Sequence, residues 1–320
     1  MVSGRTLGYL LKRLGAGVFI VWAVTFLVFV LLQIAPGSPA DILLSGGVVT
    51  EEMRRTVVEQ YNLNEPWYVQ YLLWLRDVVT GDLGYSFAQQ RPVATLIADR
   101  WAITAQIVTL SMVLATLMSI PTGIVAGYKH GSSLDRLLTV VAIVGVSVPV
   151  FVSGVLAILA FSFHINVIPS SGAGSGVIGR LTHLFVPSLL LGGMIGALMF
   201  RMMRSGMRDV LEKDYMETCV AMGLPTRKVV VKHAAINALA PVLTVSGLWI
   251  GFLIVYAMVV EYVFGMGGLG RLIIHAVQAQ DAPVVLAGTI ITAVVFVISN
   301  IVVDFLYTKI DPRVAIGGQP

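Results

Sequence analysis

The sequence is short of charge, of cysteine and of ionisable groups inside its apolar runs. Only 12% of its 320 residues are Asp, Glu, Lys or Arg, against roughly a quarter in an ordinary soluble domain. With 57% of residues hydrophobic, it is a polytopic membrane protein. A single cysteine, Cys219, excludes an intramolecular disulfide and a cysteine-based zinc site. The five histidines, His130, His164, His183, His233 and His275, are scattered without a His-Glu-x-x-His pair, which argues against an intramembrane metalloenzyme. No lysine follows a glycine, so there is no phosphate-binding Walker loop. If ATP powers this protein, another subunit binds it. A net charge of +4 gives no reason to expect a nucleic-acid partner. Only Glu261 and Asp304 approach the apolar runs, both near their ends. A proton- or sodium-driven transporter would need such groups at mid-membrane depth, where each costs about 2.5 to 3.5 kcal/mol and is kept only for a role.

What the sequence has in abundance is apolar length. Behind Arg5, Lys12 and Arg13, the charge-free run Leu14 to Ile34 is near the roughly 20 residues that cross a bilayer. It exceeds the about 7 to 15 apolar residues of a cleaved signal, which favours a retained anchor. Further spans are expected over Trp101 to Gly127, Leu137 to Phe161, Leu184 to Phe200, Val242 to Val260 and Val284 to Tyr307, making six. Pro121 and Pro149, with hydroxyls such as Thr109, Thr116 and Ser147, predict helices that bend and satisfy their backbone locally. Such helices line a path or simply pack together.

Four sections follow: an N-terminal segment with the first span (1–35), an extracytoplasmic insert (36–100), a core (101–308) and a tail (309–320). The insert holds eight acidic and five basic residues. In it, Thr50 can cap a helix carrying Glu51 and Glu52 in its first turn and Met53, Val57 and Tyr61 on one face. A second helix aligns Trp67, Tyr71, Trp74 and Val78, a stripe suited to packing or to a membrane interface. Gly81 and Gly84 around Asp82 predict a tight turn. With both termini inside, cytosolic segments carry fourteen of the Lys and Arg residues and outer segments seven, the bias that sets orientation.

Within the core, 201–241 is the longest basic segment, and Asp214 to Lys228 reads as two short helices about a hinge. The first is expected from about Met207 to Met222, ended by Gly223 in a left-handed conformation with Pro225 beyond it. The second starts at Pro225 or Thr226 and carries Arg227, Lys228 and Lys232 toward Pro241. Small side chains at Thr218, Cys219 and Ala221 thin one side of the first helix, so that another protein's surface can approach its backbone.

Glu217-Thr218-Cys219 followed by Gly223 resembles the EAA-x-x-x-G loop of ABC importer transmembrane subunits, with Thr and Cys for two alanines. His233, Asn237 and Pro241 match the continuation in the peptide-importer branch. Tyr61 to Pro66, Val69-Gln70-Tyr71, Gly81 to Ser86 and Arg91-Pro92-Val93 are similar to the signature of dipeptide and oligopeptide permeases, as are Ile168 to Gly172, Glu261 to Phe264, Gly267 to Arg271, Asp281 to Gly288, Asn300, Asp304 and Asp311-Pro312-Arg313. The resemblance implies an all-α fold with six membrane helices, the insert after the first, and a cytosolic coupling helix between the fourth and fifth. Its site would comprise Asp214, Glu217, Thr218, Cys219, Ala221, Gly223, Leu224 and His233. It implies a multi-pass protein of a bacterial cytoplasmic membrane, with two ATPase subunits or domains, a second homologous permease subunit and an extracytoplasmic binding protein as partners. ATP and Mg would be held by the ATPase subunits, and no cofactor by this chain. Glu51, Glu52 and Glu59 of the insert are expected to dock the binding protein. Peptides are the expected cargo, with nickel and glutathione as alternatives in the same family.

Overall fold

The computed structural model describes residues 4–34, 62–86, 88–165 and 169–310, together with residues 50, 52, 55, 58 and 59. Glu51, Met53, Val57, Tyr61, Asp311-Pro312-Arg313 and the start of the Ile168 to Gly172 stretch lie outside the described residues. Helix α1 (Gly4–Ile34) carries the first apolar run. Helix α2 (Trp67–Val79) lays its aromatic stripe on α1. Tyr71 is buried against Phe26 and Phe29, and its hydroxyl lies 3.1 Å from Thr25 Oγ1. The stripe is therefore an intramolecular seam, although Trp67 keeps an exposed edge.

Gly81 and Gly84 both adopt positive φ, and the Gly84 N–H donates to Asp82 Oδ1 at 2.8 Å, which makes the expected turn. It leads into a two-stranded antiparallel ladder, β1 (Tyr85–Ser86) and β2 (Arg91–Pro92), the described exception to an otherwise helical chain. Helix α3 (Val93–Tyr128) starts on Pro92 and keeps Pro121 inside it. Thr116 donates to the carbonyl of Met112, the expected local satisfaction of backbone.

The third apolar run is a broken pair, α4 (Ser133–Ser147) and α5 (Val150–Ala157), the latter continuing in π turns to His164. The two are bent by 98°. Pro149 causes the break by holding Val148 in extended backbone. Helix α6 (Gly176–Leu211) overruns the expected fourth span at both ends. Charged residues after Phe200 end the apolar run and leave the helix intact. Helix α9 (Ile236–Val263) and helix α11 (Ala282–Ile310) carry the last two runs. Among the described residues five helices are long and apolar enough to cross a membrane, or six if the bent pair is one span. Between the last two lies a further helix, α10 (Leu269–Gln278), whose Leu269, Leu272 and Ala276 are buried.

The core centres on α3 against α6. On α3, Ser111, Ala115, Ser119, Gly123 and Gly127 recur every fourth residue and are all buried. Small residues at that spacing let two backbones approach closely. Leu191, Ile195, Met199, Met203 and Met207 of α6 fill the opposing face with the same period. A Cβ on Gly123 would stand 2.6 Å from the Met203 Cβ, and one on Gly192 the same distance from the Ser111 carbonyl oxygen.

Candidate functional site

The expected helix Met207 to Met222 is two helices. Helix α6 runs to Leu211, the chain turns through Glu212 and Lys213, and α7 (Asp214–Ala221) follows. Asp214 and Glu217 lie in the first turn of α7, where negative charge favours the helix dipole. Its end is a Schellman cap. Gly223 adopts φ +74, its N–H donates to the Val220 carbonyl at 2.9 Å, and the Leu224 N–H donates to the Cys219 carbonyl at 3.3 Å. Leu224 packs half-buried against the core that contains Cys219, supplying the apolar contact of that motif. Pro225 then caps α8 (Thr226–Lys228), which passes through π turns over Val229–Ala235 into α9, so the second helix is continuous with a membrane span.

Two faces of α7 follow from its period. Met216 and Cys219 turn inward, and Asp214, Glu217, Thr218 and Ala221 are exposed. Cys219 therefore does not belong to the thin outer side expected of it. The small outward residues are Thr218 and Ala221. Val220 and Met222 are 64% and 67% exposed, an uncovered apolar tip on a charged helix. A cavity of about 580 Å³ beside it is lined by Tyr128, Leu211, Glu217, Val220 and Ala221 among others. His233 does not line it. That residue sits half-buried in the π turns, its Nε2 buried without a hydrogen-bond partner among the described residues and its carbonyl accepting from Asn237 Nδ2 at 2.7 Å.

The same end carries a clamp between the start of α4 and the end of α6. Arg204 Nε and Nη2 donate to the two oxygens of Asp135 at 2.5 and 2.8 Å, and the Gly131 N–H donates to that carboxylate at 2.9 Å. The Asp135 side chain is 2% exposed. This fork joins the start of α4 to α6, seven residues before α6 ends.

At the opposite end, Glu261 is wholly buried. It accepts from Thr104 Oγ1 at 2.6 Å and from the Arg271 N–H at 3.2 Å, closing the start of α10. Gly268 has no side chain because a Cβ would meet this carboxylate. These bonds give Glu261 a structural task. Asp281, just before α11, accepts from Ser86 Oγ at 2.5 Å and so fastens the β1–β2 hairpin. Burial pushes its carboxyl above the usual range, against the Ser86 hydroxyl and the Val284 N–H. Glu52 and Glu59, the described members of the acidic trio, are exposed.

Residues 119–316 match the family described as binding-protein-dependent transport system inner membrane component, and residues 6–108 match its N-terminal companion. The chain belongs to this family. It is the transmembrane permease subunit of an ABC importer and a multi-pass inner membrane protein, which sets aside the ion-driven transporter. It is 38% identical over 308 residues to the glutathione transport system permease protein GsiC of Escherichia coli O6:H1 (strain CFT073), covering 96% of this chain and 99% of that protein. It is 35% identical over 312 residues to the oligopeptide transport system permease protein AppB of Bacillus subtilis (strain 168), covering 96% and 98%. The fold is similar to a chain of the inward-facing MetNI methionine ABC transporter, with a TM-score of 0.55 at 15% identity over 68% of this chain and 97% of that one.

Proposed function

We propose that this chain forms half of the path by which an ATP-driven importer admits short peptides, and that α7 with its glycine cap is the part that engages the ATPase subunits. The observation that carries the coupling role is the exposed face of α7. Asp214, Glu217, Thr218 and Ala221 stand outward beside the uncovered Val220 and Met222, on a short helix held to the core through Met216, Cys219 and Leu224. A helix so anchored follows the spans it joins, and its apolar tip awaits a groove. The basic-residue bias supports a cytosolic location for this end and for both termini. ATP and Mg belong to the ATPase subunits, a second homologous permease completes the path, and a binding protein docks outside through Glu52 and Glu59, with Glu51 of the same segment. Translocation proceeds by rocking of helices around the path. The named relatives transport glutathione and oligopeptides, which supports a short peptide as cargo.

The test is reconstitution with the partner subunits and binding protein in proteoliposomes. ATP-dependent uptake of di- to tetrapeptides or glutathione is expected, with no hydrolysis by the purified chain alone. Hydrolysis by the verified-pure chain overturns the subunit reading, and failure to take up any of these peptides overturns the cargo.

A further inference from the structure

At the end opposite α7 lies a cavity of about 490 Å³, within the range of roughly 300 to 1,000 Å³ usual for small-molecule clefts. Its lining brings together Arg100 from α3, Arg271 and His275 from α10, Gln89 from the hairpin and Asp281. The charges are incompletely matched. Arg100 donates to Gln89 Oε1 at 3.2 Å, and Arg271 to the Gly265 carbonyl at 2.6 Å and to His275 Nε2 at 3.2 Å. Among the described residues neither guanidinium has a carboxylate within ion-pair distance, although nearby Arg91 is paired with Asp99 at 2.8 Å. Asp281 is 2% exposed; Ser86 holds its Oδ2, and its Oδ1 is buried with no hydrogen-bond partner among the described residues. Glu261, the other acid close by, is occupied by Thr104 and the α10 backbone.

We propose that this cavity binds a small zwitterion, a short peptide with free termini, its carboxylate between Arg100 and Arg271 and its ammonium toward Asp281. Planar guanidiniums favour a carboxylate because two parallel N–H groups match its two oxygens. Both signs of charge in one cleft exclude a simple anion or cation as the best occupant. A binding-protein docking site of ordinary size needs a face of roughly 800 Å² on each side, whereas these groups converge on a cleft. The proposal rests on the peptide-importer reading and deepens it, since it places a receiving site on the extracytoplasmic side of the permease.

The test uses the assembled complex with Ala279→Cys, an exposed position on the cavity wall, and an impermeant thiol reagent. The only native thiol, Cys219, is buried at the other end. Trialanine should slow labelling of the new thiol without binding protein present. Its C-terminal amide and its N-acetyl form should each need roughly ten- to a hundredfold more for the same protection, the loss of a charged hydrogen-bonding partner. Arg100→Gln should erase the preference of acid over amide, while Arg91→Gln, whose guanidinium pairs with Asp99 instead, should keep it. Equal protection by acid and amide, or none by millimolar trialanine, overturns the proposal. So does protection by peptide-free binding protein alone, which makes the cleft a docking site. If protection fails while the wild-type complex still imports trialanine, only the cleft is lost. If the wild-type complex imports no peptide, the underlying reading is lost.

Discussion

Replacing Gly223 by valine tests the α7 end most directly. Gly223 sits at φ +74, and an added Cβ would meet nothing within 4 Å. The cost is therefore purely that of the backbone: about 1 to 3 kcal/mol for a non-glycine residue held in a left-handed conformation, at the upper end for a β-branched one. At about 1.4 kcal/mol per tenfold, the capped form of α7 becomes roughly 5- to 150-fold less favoured. The two cap hydrogen bonds from Gly223 and Leu224 weaken together, and the Val220–Met222 tip leaves its position. Contacts in the membrane spans do not change, so expression and insertion should be normal. Backbone strain also predicts an order, because asparagine tolerates this conformation better than alanine, and alanine better than valine. The assay is uptake and binding-protein-stimulated ATPase activity in proteoliposomes, with assembly followed by pull-down. Activity should fall in the order Gly, Asn, Ala, Val. A Gly223→Val complex that assembles and transports at the wild-type rate refutes both the strain argument and the coupling role of α7.

Four further outcomes are expected. Thr218→Cys and Ala221→Cys should react with an impermeant thiol reagent in inverted vesicles and not in intact cells, while wild-type Cys219 reacts slowly from either side because it is 8% exposed; fast labelling in intact cells reverses the orientation. Gly123→Leu should lower the thermal stability of the purified complex by about 1 to 3 kcal/mol through overpacking against Met203, and an unchanged melting temperature would mean that α3 and α6 can separate at no cost. Arg204→Ala should destabilise by about 3 kcal/mol or somewhat less, because the buried Asp135 carboxylate loses its guanidinium and keeps only the Gly131 N–H and His130 beside it, and adding Asp135→Ala should restore part of that loss in a double-mutant cycle; strict additivity would mean the fork contributes nothing. Charge reversal at Glu52 and Glu59 should weaken binding-protein affinity, more at low salt than at high, and an affinity unchanged at low salt removes those residues from the docking surface.

The apolar runs and the glycine stop were legible in the sequence because each depends on a local property, hydropathy in one case and backbone freedom at Gly223 in the other. Helix ends were less so. Phe200 ends an apolar run, yet α6 continues eleven residues further, since hydrogen bonding along a helix is indifferent to whether a side chain such as Arg201 points to lipid or to water. The inward turn of Cys219 was readable from its spacing to Met216, three residues earlier, but its small size drew attention instead. Leu269, Leu272 and Ala276 have helical spacing too, obscured by the glycines that precede them. The Asp135–Arg204 fork joins residues 69 apart in sequence and carries no local sign of the pairing. The cleft near Arg100 draws on three separated segments, so no single stretch announces it.

The repeat of small residues along α3 also limits how the protein can move. Ser111 to Gly127 touches α6 at nearly backbone distance over more than four turns, so tilting one helix away from the other would open a crack along the whole line. The two are better regarded as a single beam. Any change of shape that carries cargo must then be taken up at the joints around it: the broken corner at Pro149, the two-residue elbow at Glu212 and Lys213, and the π turns leading into α9. A beam with soft corners transmits a push from one end to the other without absorbing it.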